Sequence, residues 1–156
     1  MKALVSFPKQ VYRHEFPKRP IPAVGAIVFR GSQVLLVRRR DPPYQGRWSV
    51  PGGAIEVGET VKQAVVRETH EETAVDVRPV EVITVGDFVE KQKGRVRWHY
   101  VLVDLLCLLV RGEPDPGSDA TNAGFIELRE LAEFDVVPSA LEVIERSIAR
   151  RGRTDA

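Results

Sequence analysis

The sequence predicts an α/β protein in which a mixed β-sheet lies between helices, an α/β/α sandwich. Three observations carry that expectation. β-prone runs fill most of residues 23–50 and 76–127, separated by one helical segment and closed by another. Their order reads β-β-β-α-β-β-β-α, without the strict strand–helix alternation of a doubly wound sheet. The run "VLVDLLCLLV", residues 101–110, is mostly apolar on both faces, as a central strand covered from two sides must be.

Each element has its own local reason. Residues 1–22 are polar and carry Pro8, Pro17, Pro20 and Pro22. They read as an extended arm with at most one edge strand, because proline removes ladder donors; the domain proper is expected over residues 23–156. "AVGAIVFR", "GS" and "QVLLVRR" form a hairpin signal, two β-rich runs around a tight turn. "DPPYQGRW" reads as a loop and "WSVPGG" as a short strand entering a glycine turn. A helix is expected from Thr60 to about Ala74, with Thr60 as N-cap and Gln63 completing a capping box. "VRPVEVITVGDFVEK" and "RVRWHYVLVDLLCLLV" are long strands around the polar turn "KQKGR". "RGEPDPGSDATNAG" reads as a loop, "FIEL" as a last short strand, and "PSALEVIERSIARR" as a closing amphipathic helix with Pro138 near its start.

Composition narrows the function classes. The chain has 156 residues, 43% apolar and 29% charged, which suits one folded domain with a real core. A formal charge of +1 gives no global pull toward nucleic acid or membrane, so anion binding must come from local geometry. Cys107 is the sole cysteine, which excludes an intramolecular disulfide and suits a reducing compartment. Its apolar run is too short to span a bilayer as a helix, and the N-terminus lacks a signal peptide's apolar core. A cytoplasmic protein with no membrane partner and no stable nucleic-acid partner is expected.

The chemistry concentrates in "RETHEET", residues 67–73. With Val61 at zero, successive rotations of about 100° put Val65 at about 40° and Ala64 at about 300°. Glu68 then falls at about 340°, Glu71 at about 280° and Glu72 at about 20°, on the same stripe. Lys62, Gln63, Val66, His70 and Thr73 fall away from it and, Val66 apart, read as the wet side. The helix is thus apolar toward the body at its start and acidic toward the body at its end. Three desolvated carboxylates would take up protons or bind a cation. Oxygen ligands suit Mg²⁺ or Mn²⁺, and no His/Cys cluster argues for zinc. On helical phase alone, a solvated acidic face is an equal alternative.

The residues around the acids decide between them. "GAIEVGETVKQAVVRETHEETAV", Gly53 to Val75, resembles the Nudix box, G-x5-E-x7-R-E-U-x-E-E-x-G-U with U a bulky aliphatic residue. Gly53, Glu59, Arg67, Glu68, Glu71, Glu72 and Val75 match in spacing; Thr69 stands at a U position and Ala74 replaces the last glycine. Thr69 can pack through its methyl group, and Ala74 should cost local stability rather than chemistry. The hairpin before the box and "WSVPGG" resemble the family as well.

The resemblance implies a Nudix fold and cleavage of the pyrophosphate in a nucleoside diphosphate linked to another group. It implies that Glu68, Glu71 and Glu72 hold Mg²⁺ or Mn²⁺ and that Gly53 offers its backbone carbonyl. Arg67 and Glu59 complete the expected catalytic set as a brace between loop and helix, and Glu56 is a further loop carboxylate. Glu72, Glu71 or a carboxylate from a later loop would serve as general base. Asn122 occupies the place where many small relatives carry a loop glutamate, with Asp119 three residues earlier and Glu90 elsewhere as weaker choices.

Substrate contacts are expected from Arg38, in the Arg38–Arg39–Arg40 strand end, as a phosphate clamp. Trp98 and Tyr100, which share a strand face, are expected to stack a base; Trp48 and Tyr44 are weaker candidates. The proline that marks ADP-ribose pyrophosphatases would fall near Val89 and is absent. The reading leans to ADP-ribose-like nucleoside diphosphate sugars. The alternatives are (d)NTP pyrophosphohydrolysis and a non-catalytic nucleotide sensor. The length of the arm suggests a homodimer.

Overall fold

The structure is a computed structural model that describes residues 12–152. Its elements are β1 (Ile21–Arg30), β2 (Gln33–Arg39), β3 (Trp48–Ser49), β4 (Gly52–Ala54), α1 (Val61–Thr73), β5 (Asp76–Gln92), β6 (Arg95–Arg111), β7 (Ala120–Glu127), a 3₁₀ turn (Leu128–Glu133) and α2 (Pro138–Arg151). The strands form one seven-stranded sheet of order β3-β2-β1-β6-β5, with β4 added to β1 and β7 to β2. β1 and β6 run parallel, while the other strand pairs are antiparallel, so the sheet is mixed.

Alternate residues of a strand face opposite sides, and the sequence uses both. Val24, Ala26 and Val28 of β1 pack with Leu105 and Cys107 of β6 under Ala64 and Val65 of α1. Ile27, Phe29 and Leu106 pack on the other face with Ala140, Val143 and Ile144 of α2. β6 is therefore the central strand that its two-sided apolar run predicts, and the architecture is the expected α/β/α sandwich.

α1 begins as its cap dictates: Thr60 Oγ1 accepts from the Gln63 N–H at 3.1 Å, and Gln63 Oε1 accepts from the Thr60 N–H at 2.9 Å. Thr73 departs from the expected wet side. It is fully buried, and its hydroxyl donates to the Thr69 carbonyl at 2.6 Å. A threonine that satisfies its hydroxyl on the preceding turn loses its reason to face water. Ala74 ends the helix in the left-handed conformation, φ 59°, which glycine adopts without steric cost.

Strand pairing overrides local propensity in two places. "WSVPGG" splits, with β3 pairing with β2 and β4 with β1. Residues 120–124, expected as loop, belong to β7, where Ala120 pairs with Arg39 and Gly124 with Leu36. Ala, Asn and Gly are weak strand formers, so the pairing partner rather than the local sequence makes this strand. β1 starts at Ile21, inside the segment read as an arm. Residues 12–20 contain no strand and lie on β6: the Phe16 N–H donates to the Arg97 carbonyl, and Glu15 pairs with Arg97, both at 2.8 Å. The first half of the arm, residues 1–11, lies outside the described residues. No described helix is long and apolar enough to cross a membrane.

Candidate active site

A cleft of about 570 Å³ runs from the C-terminal half of α1, past β4 and the loop before β7, to the α2 side of the sheet. Glu68, Glu71 and Glu72 all line it, with Gly52, Gly53, Arg67 and Asp119. The helical phase is therefore realised: Glu72 is only 6% exposed, Glu68 is largely buried, and Glu71 forms the exposed rim.

Two glycines allow the loop to approach these acids. A Cβ on Gly53 would sit 2.5 Å from the Glu68 carboxylate, and one on Gly52 would collide with the Val24 carbonyl. Gly52 instead donates its N–H to Glu72 Oε2 at 3.0 Å. Burial, reinforced by the charges of Glu68 and Asp119, pushes the Glu72 carboxyl up to about 8, against the Gly52 N–H and Arg39. Burial also raises Glu68, against the bond from Arg67. At about 8, the Glu72 carboxyl holds its proton at neutral pH unless a cation replaces it.

Arg67 makes the expected brace. Its Nε donates to Glu59 Oε2 at 2.6 Å and one Nη to Glu59 Oε1 at 2.8 Å, a bidentate pair. The same Nη donates to the Ala54 carbonyl at 3.1 Å, which joins loop, β4 and helix. The Arg67 bond holds Glu59 down at about 2. The other Nη reaches Glu68 at 2.8 Å and Glu71 at 3.2 Å, so a guanidinium lies among the acids. Among the described residues, no three acid, His or Cys side chains converge as placed on one ion position. The all-oxygen donor set still fits a hard divalent cation: the Gly53 position leaves the Glu68 carboxylate open to the loop, and two of the acids are costly to ionise without a cation.

The loop 112–119 turns back to this end of the cleft because it caps α1: the Asp115 N–H bonds the Thr73 carbonyl at 2.9 Å and the Gly117 N–H bonds that of Glu72 at 3.2 Å. It delivers Asp119, which pairs with Arg40 at 3.0 Å. Asn122 is exposed in β7 facing Arg38 in register, and Glu90 is exposed in the β5–β6 hairpin; neither lines the cleft.

The substrate contacts need correction. Arg38 is exposed, outside the cleft, and donates its Nε to the Gly46 carbonyl at 2.9 Å. Arg39 lines the cleft instead, its Nε bonded to the Pro43 carbonyl at 2.7 Å and its charge felt by Glu72 and Tyr100. Strand alternation sends neighbours to opposite sides, and the irregularity between Arg38 and Arg39 in the pairing with β7 makes the side hard to assign from sequence. Trp98 is 1% exposed and cannot stack a ligand. It is covered core, stacked on Tyr100 with ring centroids 6.4 Å apart, and its Nε1–H has no partner among the described residues. Tyr100 does line the cleft, beside Leu102 and Asp104 of the same strand. Tyr44 and Phe88, in contact at 5.3 Å, supply further aromatic wall. Sequence reasoning named Arg39 only alongside Arg38 and Arg40 and missed Phe88 and Asp104; the available signal for Asp104 was a lone carboxylate inside an apolar strand.

Comparison with known proteins agrees with the box. The NUDIX domain model matches residues 19–147. An ADP-ribose pyrophosphatase of Methanocaldococcus jannaschii is 33% identical over 74% of this chain and 66% of its own length, so the match spans just under two thirds of that relative. The "Putative 8-oxo-dGTP diphosphatase 2" of Mycobacterium tuberculosis is 44% identical over 76% of this chain and 81% of its own. The crystal structure of a MutT Nudix hydrolase from Burkholderia pseudomallei superposes with a TM-score of 0.70 at 25% identity, covering 83% of this chain and 98% of that one. A box intact at its polar positions, a domain match over most of the length and a shared fold lead to one conclusion: this chain belongs to the Nudix hydrolase family.

Proposed function

We propose that the protein hydrolyses the pyrophosphate bond of a nucleoside diphosphate linked to another group, with ADP-ribose-like nucleoside diphosphate sugars as the leading substrate class. The observation that carries this is a single cleft with inward-turned carboxylates and a glycine loop at one end and aromatic walls at the other. The archaeal relative's name supports the ADP-ribose reading. Glu68, Glu71 and Glu72, with the Gly53 carbonyl, would hold Mg²⁺ or Mn²⁺. When bound, the metal neutralises phosphate oxygens and lowers the pKa of the attacking water. Arg67 and Glu59 fix the loop against α1 so that the acids stay in place. Arg39 binds a phosphate at the middle of the cleft, and Glu72 or Asp119 takes the proton of the water. One water is added across the anhydride, and two phosphate esters leave.

A (d)NTP reading is favoured by one observation, the 44% identity to a mycobacterial relative whose name refers to 8-oxo-dGTP. A phosphate-release panel with ADP-ribose, NADH, dinucleoside polyphosphates and normal and oxidised dNTPs separates the two. Turnover of ADP-ribose with Mg²⁺ is expected; preferential turnover of oxidised dNTPs moves the assignment to the second reading. Tight nucleotide binding with no product would instead make the chain a sensor. The active unit is proposed as a cytoplasmic homodimer, for which light scattering should give twice the chain mass. The segment read as an arm, residues 1–22, is proposed to serve as one up to residue 20, the domain of 23–156 taking in Ile21 and Pro22 through β1.

A further inference from the structure

Asp104 is a cleft carboxylate that the hydrolytic residues leave unused. It lies on β6 in register with Gly25 of β1 and Thr84 of β5, on the sheet face that Leu106 turns toward α2. Glu68 and Glu72 belong to the opposite layer. Gly52 pairs with Gly25, so two strand spacings, about 10 Å of backbone, separate the glycine loop from Asp104. That is about the reach of one nucleoside.

Three features of its surroundings point outward to a ligand. Its carboxylate has no hydrogen bond or ion pair with any described residue, and the cleft it shares is lined on the α2 side by Val137, Ser139, Ala140 and Val143. Burial alone pushes it up to about 6. Gly25 clears its space: a Cβ there would strike Asp104 Oδ1 and approach Val50 Cγ2 to 3.2 Å. An apolar side chain at 104 would pack against this layer without the desolvation penalty that an unpartnered carboxylate carries. A polar group in a ligand-sized cleft, with no partner in the protein, is how a site fixes ligand orientation.

We propose that Asp104 is a specificity-determining residue, its carboxylate accepting hydrogen bonds from an amino group of a nucleobase held against Tyr44, Phe88 and Tyr100. The inference rests on the proposed function, with the diphosphate at the Glu68–Glu72 end. The flat aromatic walls favour a base over the other source of paired donors, a ribose diol. A site built to bond a donor rejects the analogue that lacks it.

The test is calorimetric binding of AMP, GMP, IMP and dAMP to the full chain and to Asp104→Leu, which has a similar shape and no acceptor, in the presence of Mg²⁺. None of the four contains the anhydride. IMP lacks both amino groups, and dAMP lacks one ribose hydroxyl. The wild type should bind AMP or GMP at least tenfold more tightly than IMP, and the variant should bring that ratio close to one. Asp104→Ala, with its melting temperature checked, provides the same readout if the leucine variant does not fold. Equal binding of all four nucleotides by the wild type would overturn the proposal. A preference for AMP over dAMP that vanishes in the variant would overturn it too, by assigning Asp104 to the sugar. No binding together with no turnover of any substrate overturns the function beneath it as well, whereas turnover with a flat base preference overturns this inference alone.

Discussion

At the residue scale, the fate of a carboxylate follows from what surrounds it. Glu59, bound twice by Arg67, is held ionised; Glu72, buried beside Glu68, is not. The two therefore have different jobs, and substitutions should separate them. Glu71→Gln and Glu72→Gln should each lower kcat by about a hundredfold or more with the fold intact, since groups that organise transition-state charge carry effects of that size. Steady-state rates near wild type in both variants would contradict the assignment. Glu59→Gln should instead destabilise the chain, by about 1 kcal/mol in urea unfolding, because it weakens the bidentate tie of loop to helix while Arg67 keeps Glu68 and the Ala54 carbonyl.

At the element scale, α1 was the most legible part of the chain. The Thr60–Gln63 capping box, the inward phase of Glu68 and Glu72 and the Arg67–Glu59 pair all follow from spacing along one regular helix. What the sequence hid depends on partners far along the chain. β7 exists because β2 offers it an edge, Arg39 rather than Arg38 enters the cleft where β2 meets an irregularity, and Trp98 is covered core. Asp104 needed Gly25 opposite it, from a strand near the other end of the chain, before its orientation had meaning. The helix also carries a strained end. Ala74 is exposed and left-handed, so Ala74→Gly should stabilise the protein by about 0.5–1 kcal/mol in chemical denaturation. A loss of stability would show that the left-handed cap is not strained.

At the scale of the whole molecule, the cleft concentrates carboxylates whose ionisation opposes folding. Glu72 and Asp104 are both raised above their ordinary values, to about 8 and about 6. A group raised in the folded state contributes stability that is present below its unfolded pKa and lost as pH rises through the folded one. In chelator, the melting temperature should therefore fall between about pH 5 and pH 8, and Mg²⁺ should restore it at the upper end by binding the folded state. A flat profile in chelator would contradict the burial of these acids. The sandwich architecture makes the arrangement possible: α1 supplies acids on one face, α2 closes the other, and the cleft passes between them.

Everything proposed for the cleft depends on metal-dependent hydrolysis of a pyrophosphate bond. It is tested most directly by chromatography of the products formed from ADP-ribose, with Mg²⁺ or chelator, by the wild type and Glu72→Gln. AMP and ribose 5-phosphate are expected from the wild type with Mg²⁺ only, and little of either from the variant. Equal product from both proteins, or undiminished product in chelator, would contradict it.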